Sequence, residues 1–443
     1  MAPSGAAEGT VLAEKKQGAK ERAILIGVSC TAAPDFDNSD EETMHELREL
    51  LETAGGEAVL TAAQNRKSPD SRTLIGEGKC AEIRQLIKSH EIDLAVFDNE
   101  LGPSQTRALE QELDCRVIDR NALILDIFAD RAQTREGKLQ VELAQYQYLL
   151  PRLSGMWGHL VRQTAAGGSS PIGTRGPGET QLETDRRHIR RKIQKLKEEI
   201  EDVKRVRAVQ RRSREKASVP LVCIVGYTNA GKSTLLNALT GAGVHAEGRL
   251  FDTLDPTTKS LITPDGTQVL VSDTVGFIRK LPHHLVNAFR ATLEEVTYAD
   301  VLVHVIDVSN PRWREQAVVV DKLVGELGAG AVPHITVFNK VDLVHDVDLP
   351  RQAGAVYCSA LLGRGLDELM QRMVSCLSAG RRRVSFVLPY ASAALLDELY
   401  REASVKRADY AENGIEIEAV VDARMLGRLR DFLPKGENAD EAL

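Results

Sequence analysis

The sequence lacks paired cysteines, long apolar runs and an apolar core near its N-terminus. Scattered thiols with no CxxC pair are typical of reduced cytosolic proteins, which argues against a disulfide framework or a zinc site. No window of about 18 consecutive apolar residues occurs, so we expect no transmembrane helix. Residues 1–20 lack the core of a secretory signal, and we expect a disordered tail there and a cytoplasmic protein. The cysteines are Cys30, Cys80, Cys115, Cys223, Cys358 and Cys376.

The chain as a whole has no excess of positive charge, but one segment of it does. The 57 basic and 64 acidic residues give a net charge of −7, which by itself does not suggest a nucleic-acid partner. Residues 186–216, however, hold 14 Lys or Arg against 5 Asp or Glu, a net charge of +9, so the remainder carries −16. This asymmetry points to a polyanionic partner for that segment, with a solvated helix face as the alternative.

Hydrophobic patterning predicts an α/β fold built from four parts. Residues 21–130 alternate short apolar runs with helical stretches, which predicts a parallel sheet flanked by helices. The strands are expected at 23–28, 57–60, 73–76, 92–97 and 115–118, and the helices around 40–54, 79–89 and 103–113. Residues 218–378 predict a second α/β domain, and residues 383–433 predict a small α+β module.

Residues 131–216 have the period of helices instead. Apolar residues recur there in alternating steps of four and three, which places them on one stripe of each of two helices. Two such stripes can bury each other in an antiparallel hairpin. The glycine-rich loop 165–180 between them, with Arg175 in it, suits neither a regular helix nor a strand. The stripes consist of Leu139, Leu143, Tyr146, Leu150 and Leu153, and of Ile189, Ile193, Leu196, Ile200 and Val203.

A phosphate-binding string opens the third part. The apolar segment LVCIV runs into Gly226-x-x-x-x-Gly231-Lys232-Ser233, and the helical segment LLNALTG follows. The glycines let backbone N–H groups surround phosphates, and the helix N-terminus adds a positive dipole end. Lys232 can reach the β- and γ-phosphates, and the Ser233 hydroxyl can ligate Mg²⁺; the alternative is a plain glycine turn. The predicted nucleotide contacts are Gly226, Tyr227, Thr228, Asn229, Ala230, Gly231, Lys232, Ser233 and Thr234.

A second strand, VLVSD, ends in Asp273-x-x-Gly276. An aspartate at this place can hold Mg²⁺ through water, and the Gly276 N–H can face the γ-phosphate. The predicted contacts of this segment are Asp273, Thr274, Val275 and Gly276.

Two further strand ends predict guanine recognition. ITVFN ends in Asn339-Lys340-x-Asp342, where a carboxylate can accept hydrogen bonds from the guanine N1–H and 2-amino groups, both of which adenine lacks. Another strand ends in Ser359-Ala360, whose amides could contact the guanine O6. We therefore expect GTP as the substrate, bound by Asn339, Lys340, Val341, Asp342, Ser359, Ala360 and Leu361.

These four segments, in this order, resemble a translation-factor-class GTPase. The strings IGTRGPGETQLETDRR (172–187) and LFDTLDPTTK (250–259) are similar to the HflX family of ribosome-associated GTPases, in the Obg–HflX group. The resemblance covers residues 23–433. It implies a monomeric cytoplasmic GTPase whose partners are GTP or GDP, the large ribosomal subunit and its rRNA. The hairpin tip would lie near the peptidyl-transferase centre, and the activity would split stalled ribosomes.

The resemblance also implies a first switch segment, residues 250–259, that contains an Mg²⁺-binding threonine. Thr253, Thr257 and Thr258 are the candidates. FDTLDP is similar to the switch string of Obg-type proteins, in which the central threonine ligates the metal, so we expect Ser233, Thr253 and Asp273 to hold Mg²⁺. Thr253 lies 20 residues after Ser233. The neighbouring residues expected to contact the nucleotide are Phe251, Asp252, Leu254 and Asp255.

The glutamine that orients the attacking water in Ras-like enzymes is absent, because Phe277 follows Gly276. We therefore expect slow hydrolysis by the protein alone, with Lys232, Thr253, Gly276 and Asn229 as catalytic residues. Stimulation could come from K⁺, which asparagines at the position of Asn229 bind in related GTPases, or from a partner, which we favour. Asn229 could equally be a local hydrogen-bonding residue.

Two other functions are kept open. An ATP-dependent RNA remodeller would need a second nucleotide site in residues 21–130, where GEGK (76–79) is the only phosphate-loop-like string. A non-catalytic RNA-docking scaffold would keep GTP as a structural ligand.

Overall fold

The structure is a computed structural model, and it describes most of the chain. The described residues are 20–33, 36–156, 177–216, 219–241, 243, 250, 251, 253, 254, 256–280, 295–345, 349–378, 381–411, 413–429, 432 and 433. Predictions for residues 1–19, for loop residues 165–176 with Arg175, and for Asp252 and Asp255 lie outside these ranges. The described residues form two compact units, which divide between Leu123 and Ile124.

The first unit contains a four-stranded parallel sheet in the order β2-β1-β3-β4, which confirms the predicted α/β class. Within this sheet, β3 is the most deeply buried strand, and all four of its residues are buried. The helices pack apolar side chains such as Leu47, Ile83 and Leu109 beside it. The elements are β1 (Arg22–Cys30), α1 (Glu41–Thr53), β2 (Glu57–Arg66), α2 (Glu77–Ser89), β3 (Leu94–Phe97), α3 (Pro103–Leu113) and β4 (Arg116–Asp119).

The strand expected at 73–76 is wrong. The Asp70 carboxylate accepts hydrogen bonds from the Arg72 and Thr73 N–H groups, and Leu74 has a left-handed backbone at φ 64°. This is turn chemistry, in which an aspartate side chain takes the place of a strand partner. Leu74 and Ile75 are apolar because they are buried in the core, not because they belong to the sheet.

A helical hairpin follows helix α4 (Arg120–Arg131) along the chain. Helices α5 (Arg135–Met156) and α6 (Pro177–Lys216) are antiparallel and bury a shared stripe, which contains seven of the ten predicted stripe residues. Glu142 of α5 pairs with Lys192 of α6 at 2.9 Å, and Lys192 also lies 5.1 Å from the Tyr146 ring centroid. The stripe consists of Leu139, Leu143, Leu196 and Ile200, with Tyr146, Ile193 and Val203 beside them.

The second sheet has six strands in the order β10-β9-β8-β5-β7-β6, all parallel except β6, which runs antiparallel to β7. Its strands are β5 (Leu221–Gly226), β6 (Thr257–Ile262), β7 (Gln268–Asp273), β8 (Val301–Asp307), β9 (His334–Asn339) and β10 (Val356–Tyr357). Its helices are α7 (Lys232–Thr240), α8 (Trp313–Glu326) and α9 (Leu366–Ser378). The fully buried β5 lies in the middle of the sheet, so its carboxyl end opens between two neighbouring strand ends.

The last module confirms the predicted small α+β part. A three-stranded antiparallel sheet in the order β11-β13-β12 packs one face against two helices, with Leu388, Leu399 and Ile417 in the core. The elements are β11 (Arg381–Leu388), α10 (Ala394–Glu402), β12 (Ser404–Ala411), β13 (Gly414–Asp422) and α11 (Ala423–Leu429). Within the part of the chain that the structure describes, no helix is long and apolar enough to cross a membrane.

Candidate nucleotide site

The phosphate loop lies where the central strand β5 ends and α7 begins. Gly231 precedes α7 with a left-handed backbone at φ 93°, and a Cβ there would lie 2.3 Å from Asn339 Nδ2. Only glycine combines that backbone with so close an approach. The loop therefore lies against the end of β9, which β8 separates from β5 in the sheet, with the N-terminus of α7 directed into it.

The Lys232 side chain is folded into the loop. Its ammonium donates a hydrogen bond to the Tyr227 carbonyl at 2.8 Å, and the residue is buried. Burial lowers the pKa of the Lys232 ammonium to about 8, although the Asp273 carboxylate favours the charged form. Because burial of the charged ammonium is costly, contact with phosphate oxygens would stabilise it strongly.

Three oxygen-bearing side chains meet beside the loop. The Ser233 hydroxyl donates to Asp273 Oδ2 at 2.6 Å and lies 2.7 Å from the Thr253 hydroxyl, which donates to the same carboxylate oxygen at 3.1 Å. The structure thus brings together the three residues that the sequence assigns to the metal. Thr257 and Thr258 instead lie on β6, where the Thr258 hydroxyl donates to Ser272 Oγ.

These residues fit Mg²⁺, a hard cation that takes oxygen ligands. Asp273 Oδ1 is buried and makes no hydrogen bond within the described residues, so one carboxylate oxygen is left to a further partner. Burial raises the pKa of Asp273, which means that its ionised form is poorly compensated by the protein alone. A divalent cation would supply that compensation.

The segment after β7 is pressed against the phosphate loop. A Cβ on Gly276 would lie 2.8 Å from Thr228 Cγ2 and 3.1 Å from Lys232 Nζ. The next residue, Phe277, donates its N–H to the Gly226 carbonyl and accepts the Thr228 N–H at 2.7 Å. The residue is only 2% exposed. The backbone of Phe277 therefore holds the loop, while its side chain offers no group that could orient a water molecule.

Asn339 connects the loop to the predicted base site. Its amide nitrogen donates to the Ala230 carbonyl at 2.8 Å, and its oxygen accepts the Ala360 N–H at 3.0 Å. This places the Ser359-Ala360 amides beside the end of β9. Asp342 is exposed in a short 3₁₀ turn. Leu361, which follows Ala360, is 79% exposed. The carboxylate and the apolar side chain are thus open to a planar base.

The first switch segment is anchored in the interior. Phe251 is buried, has a left-handed backbone at φ 59°, and packs edge-to-face on Phe128 of α4 with ring centroids 4.7 Å apart. Leu254 is buried as well. Asn229 is exposed, also with a left-handed backbone, so its predicted K⁺ role stays a prediction.

Two residues of the site escape sequence reasoning. Phe128 lies 123 positions before its partner Phe251, and no local pattern links the two. Asp307, at the end of β8, pairs with Lys340 at 2.7 Å. Its position after the apolar run VLVHVI, at the same sheet edge as the other strand ends, was a usable signal.

The string GEGK does not form a second phosphate loop. Gly76 caps α2 and donates its N–H to the Gln64 side chain at 2.9 Å, while the Lys79 ammonium pairs with Glu82 at 2.7 Å. The Gly76 N–H and the Lys79 ammonium are thus engaged within the protein. Among the described residues there is also no group of three or more His, Cys, Asp and Glu side chains placed to hold a metal ion.

Comparison with known families assigns three consecutive parts of the chain. Residues 41–129 match a family described as GTP-binding GTPase N-terminal, and residues 131–214 match GTP-binding GTPase Middle Region. Residues 221–340 match a family described as 50S ribosome-binding GTPase, which contains the phosphate loop, Thr253, Asp273 and Asn339.

Individual relatives cover nearly the whole length. The chain is similar to GTPase HflX of Caldanaerobacter subterraneus, with 47% identity over 94% of both proteins. It is also similar to GTPase HflX of Escherichia coli, with 42% identity over 89% of this chain and 92% of the relative. A solved GTP-binding protein from Sulfolobus solfataricus in complex with GDP shares 25% identity over 81% of this chain and 98% of that one, with a TM-score of 0.42.

Proposed function

Since the chain belongs to the HflX family of GTPases and hydrolyses GTP, we propose that its GTP-bound state binds the large ribosomal subunit and separates stalled ribosomes. The observation that carries this proposal is the direct covalent link between a basic helix and a nucleotide site. Helix α6 ends at Lys216, and β5, which leads into the phosphate loop, begins at Leu221. An element that binds RNA phosphates is thus attached to one that changes with GTP.

The hairpin has the properties of a rigid RNA-binding arm. Helix α6 has 40 residues, which corresponds to a length of roughly 60 Å. Its apolar stripe is buried against α5, while Arg190, Arg191 and Lys197 are exposed. Exposed Lys and Arg bind nucleic-acid phosphates without reading sequence, which suits a structured rRNA surface.

The site residues divide the work of binding GTP. Phosphate-loop N–H groups and Lys232 bind the phosphates, and Ser233, Thr253 and Asp273 would hold Mg²⁺, which neutralises phosphate charge when bound. Asp342 pairs with the guanine N1–H and 2-amino groups, and the Ser359-Ala360 amides lie at O6. Gly276 lets its segment approach the phosphate loop, since any side chain there would contact Thr228 and Lys232, and its N–H faces the γ-phosphate.

Hydrolysis without a partner is slow in this scheme, because Phe277 cannot orient water. Its buried ring and its two backbone hydrogen bonds to the loop keep this position apolar. The missing catalytic group comes from the ribosome, and K⁺ at Asn229 is the second source of positive charge.

The test combines turnover with binding. GTP hydrolysis is measured with no ribosomes, with purified large subunits and with purified small subunits. We expect large subunits to stimulate hydrolysis and small subunits to have no effect. Co-sedimentation is measured with a non-hydrolysable GTP analogue and with GDP; we expect retention on large subunits in the analogue only. Splitting is then followed as the loss of intact ribosomes in a sucrose gradient.

Three outcomes separate the possibilities. Equal turnover with and without large subunits would overturn ribosomal stimulation. Equal co-sedimentation in GDP would show a constitutive docking protein. Stimulation and GTP-dependent binding without any loss of intact ribosomes would leave a large-subunit factor with a function other than splitting.

A further inference from the structure

Lys340 of the predicted base site forms an ion pair with Asp307, a residue outside the four predicted nucleotide-binding segments. We propose that Asp307 is a positioning residue for guanine recognition, which keeps the Lys340 ammonium away from the Asp342 carboxylate. This inference rests on the base site proposed at Asn339, Lys340 and Asp342. It adds a residue from β8 to a site otherwise built by the ends of β9 and β10.

The geometry fixes the Lys340 side chain on one carboxylate. Lys340 Nζ lies 2.7 Å from Asp307 Oδ2, and the side chains are 26% and 15% exposed, so the pair is largely shielded from water. Lys340 has a left-handed backbone at φ 65°, directly after β9. A charge-assisted hydrogen bond of this length is stronger than one between neutral groups.

Asp307 itself is held firmly. Its Oδ1 accepts hydrogen bonds from the Ser309 N–H at 2.9 Å and from the Ser309 hydroxyl at 2.5 Å, so only Oδ2 faces Lys340. In the sheet Asp307 is directly opposite Asn339, and the Val308 N–H donates to the Asn339 carbonyl. The carboxylate is therefore placed by the same strand pairing that places the base site.

Competition between two carboxylates for one ammonium explains the need for Asp307. Asp342 lies two residues after Lys340 and is exposed, and a lysine stem of four carbons lets a released ammonium reach a neighbouring carboxylate. An Asp342 carboxylate paired with Lys340 would have to give up that pair before accepting the guanine N–H groups. Asp307 removes this competition and leaves Asp342 as an uncompensated acceptor for the base.

The decisive variant is Asp307→Asn. Its Oδ1 can keep the hydrogen bonds from Ser309, while its amide N–H₂ would face the ammonium donor to donor and release it. Dissociation constants are measured for GDP and for inosine diphosphate, which lacks the 2-amino group that Asp342 accepts. An exposed Lys–Asp pair is worth up to about 1 kcal/mol, so we expect GDP affinity to fall about fivefold. The preference for GDP over inosine diphosphate falls too.

The chain supplies matched controls. Glu326→Gln breaks the Lys322–Glu326 pair on the same domain and should leave both affinities unchanged. In a Lys340→Met background no ammonium can be released, so adding Asp307→Asn should have no further effect on the GDP preference. Asp307→Glu keeps the charge and should restore at least part of that preference. Thermal unfolding of each variant identifies any that fail to fold.

Two results would overturn the proposal: an unchanged GDP preference in folded Asp307→Asn, or the same loss in the Lys340→Met background. Failure of the base site itself is tested separately with Asp342→Asn. That change replaces an acceptor by a donor and should shift preference toward xanthosine diphosphate, which presents a carbonyl at C2. Without that shift, the placement of guanine at Asp342 is wrong, whatever Asp307 does.

Discussion

The Lys232 ammonium has to be charged to bind phosphate, although its surroundings favour the neutral form. Burial lowers its pKa to about 8, and its one hydrogen bond in the loop goes to the Tyr227 carbonyl. Phosphate binding favours the protonated ammonium, so nucleotide affinity should fall as pH rises through that value. Between pH 7 and pH 9 the protonated fraction drops about tenfold, and we expect GDP affinity to fall by a similar factor.

The measurement is a series of GDP dissociation constants from pH 7 to pH 9. Guanine also loses a proton in alkaline solution, so the same series is taken with Lys232→Ala, whose weaker binding retains the guanine titration but not the lysine titration. The difference between the two slopes belongs to Lys232. Parallel slopes would show that the ammonium stays charged throughout this range.

The surroundings of Gly276 predict that a larger residue would clash there, and a second glycine separates this clash from the loss of backbone flexibility. A Cβ there would lie 2.8 Å from Thr228 Cγ2 and 2.9 Å from Thr228 Cα, which backbone cannot avoid without moving. Gly276→Ala should therefore destabilise the protein by about 1–3 kcal/mol and reduce GTP turnover. Gly325, in helix α8, has open space around its Cβ position, and Gly325→Ala should instead stabilise by about 0.5–1 kcal/mol with normal turnover.

Urea unfolding and steady-state turnover of the two variants measure both effects. If Gly276→Ala were as stable and as active as Gly325→Ala, the close contact between the segment after β7 and the phosphate loop would not exist in solution.

Single residues of the site were predictable where the same pattern, an apolar strand followed by a polar residue, recurs along the sequence. Ser233, Asp273 and Asn339 each follow an apolar strand, and parallel strands deliver such residues to one edge of a sheet. Thr253 could be chosen among three threonines only by resemblance, and in the structure its hydroxyl lies within hydrogen-bond distance of both Ser233 and Asp273. Phe128 was beyond prediction, because a contact with Phe251 depends on how α4 packs and not on any local pattern.

At the scale of elements, the first switch segment is attached to helix α4. Phe251 keeps a left-handed backbone, which is unfavourable for a bulky residue and must be stabilised by its contacts. Its neighbour Thr253 meets Ser233 and Asp273, so the segment is held at the metal site and at α4 together. Loss of either attachment should loosen the other.

Phe128→Ala tests this connection. Phe128 is fully buried, so its truncation should cost about 3–5 kcal/mol of stability. It should also weaken binding of a non-hydrolysable GTP analogue more than binding of GDP, because the first switch senses the γ-phosphate. Phe128→Leu, which keeps apolar volume, should lose less of both. Equal losses for the analogue and GDP would mean that Phe128 has only a packing role.

Helices and strands differed in how well the sequence predicted them. The steps of four and three that mark α5 and α6 extend over many turns, and the buried stripe uses Leu139, Leu143, Leu196 and Ile200 as expected. The short run at 73–76 carries no such period. Three apolar or β-branched residues followed by a glycine fit a strand and a buried turn equally well, and the Asp70 hydrogen bonds decided for the turn.

For the whole molecule, the net charge of −7 is the sum of two opposite parts. A uniformly acidic surface would repel RNA on every side, while the basic part is confined to residues 186–216 of one helix. On the proposed function, the acidic remainder would disfavour nonspecific RNA contacts elsewhere and restrict docking to the hairpin. The same distribution predicts how binding to large subunits depends on salt.

Replacing the exposed Arg190, Arg191 and Lys197 of α6 by alanine should weaken binding to large subunits and reduce its salt dependence. Each lost phosphate contact lowers the slope of log affinity against log salt by about 0.7–0.9, so three contacts lower it by about 2–3. Alanine favours helix, so α6 should stay intact, and GTP turnover without ribosomes should not change. Binding is measured by co-sedimentation with a non-hydrolysable GTP analogue at several KCl concentrations.

The matched control replaces Arg84, Lys88 and Lys322, which removes the same charge elsewhere. If both triple variants lost affinity equally, the ribosome would sense the net charge of the protein and not the basic face of its hairpin.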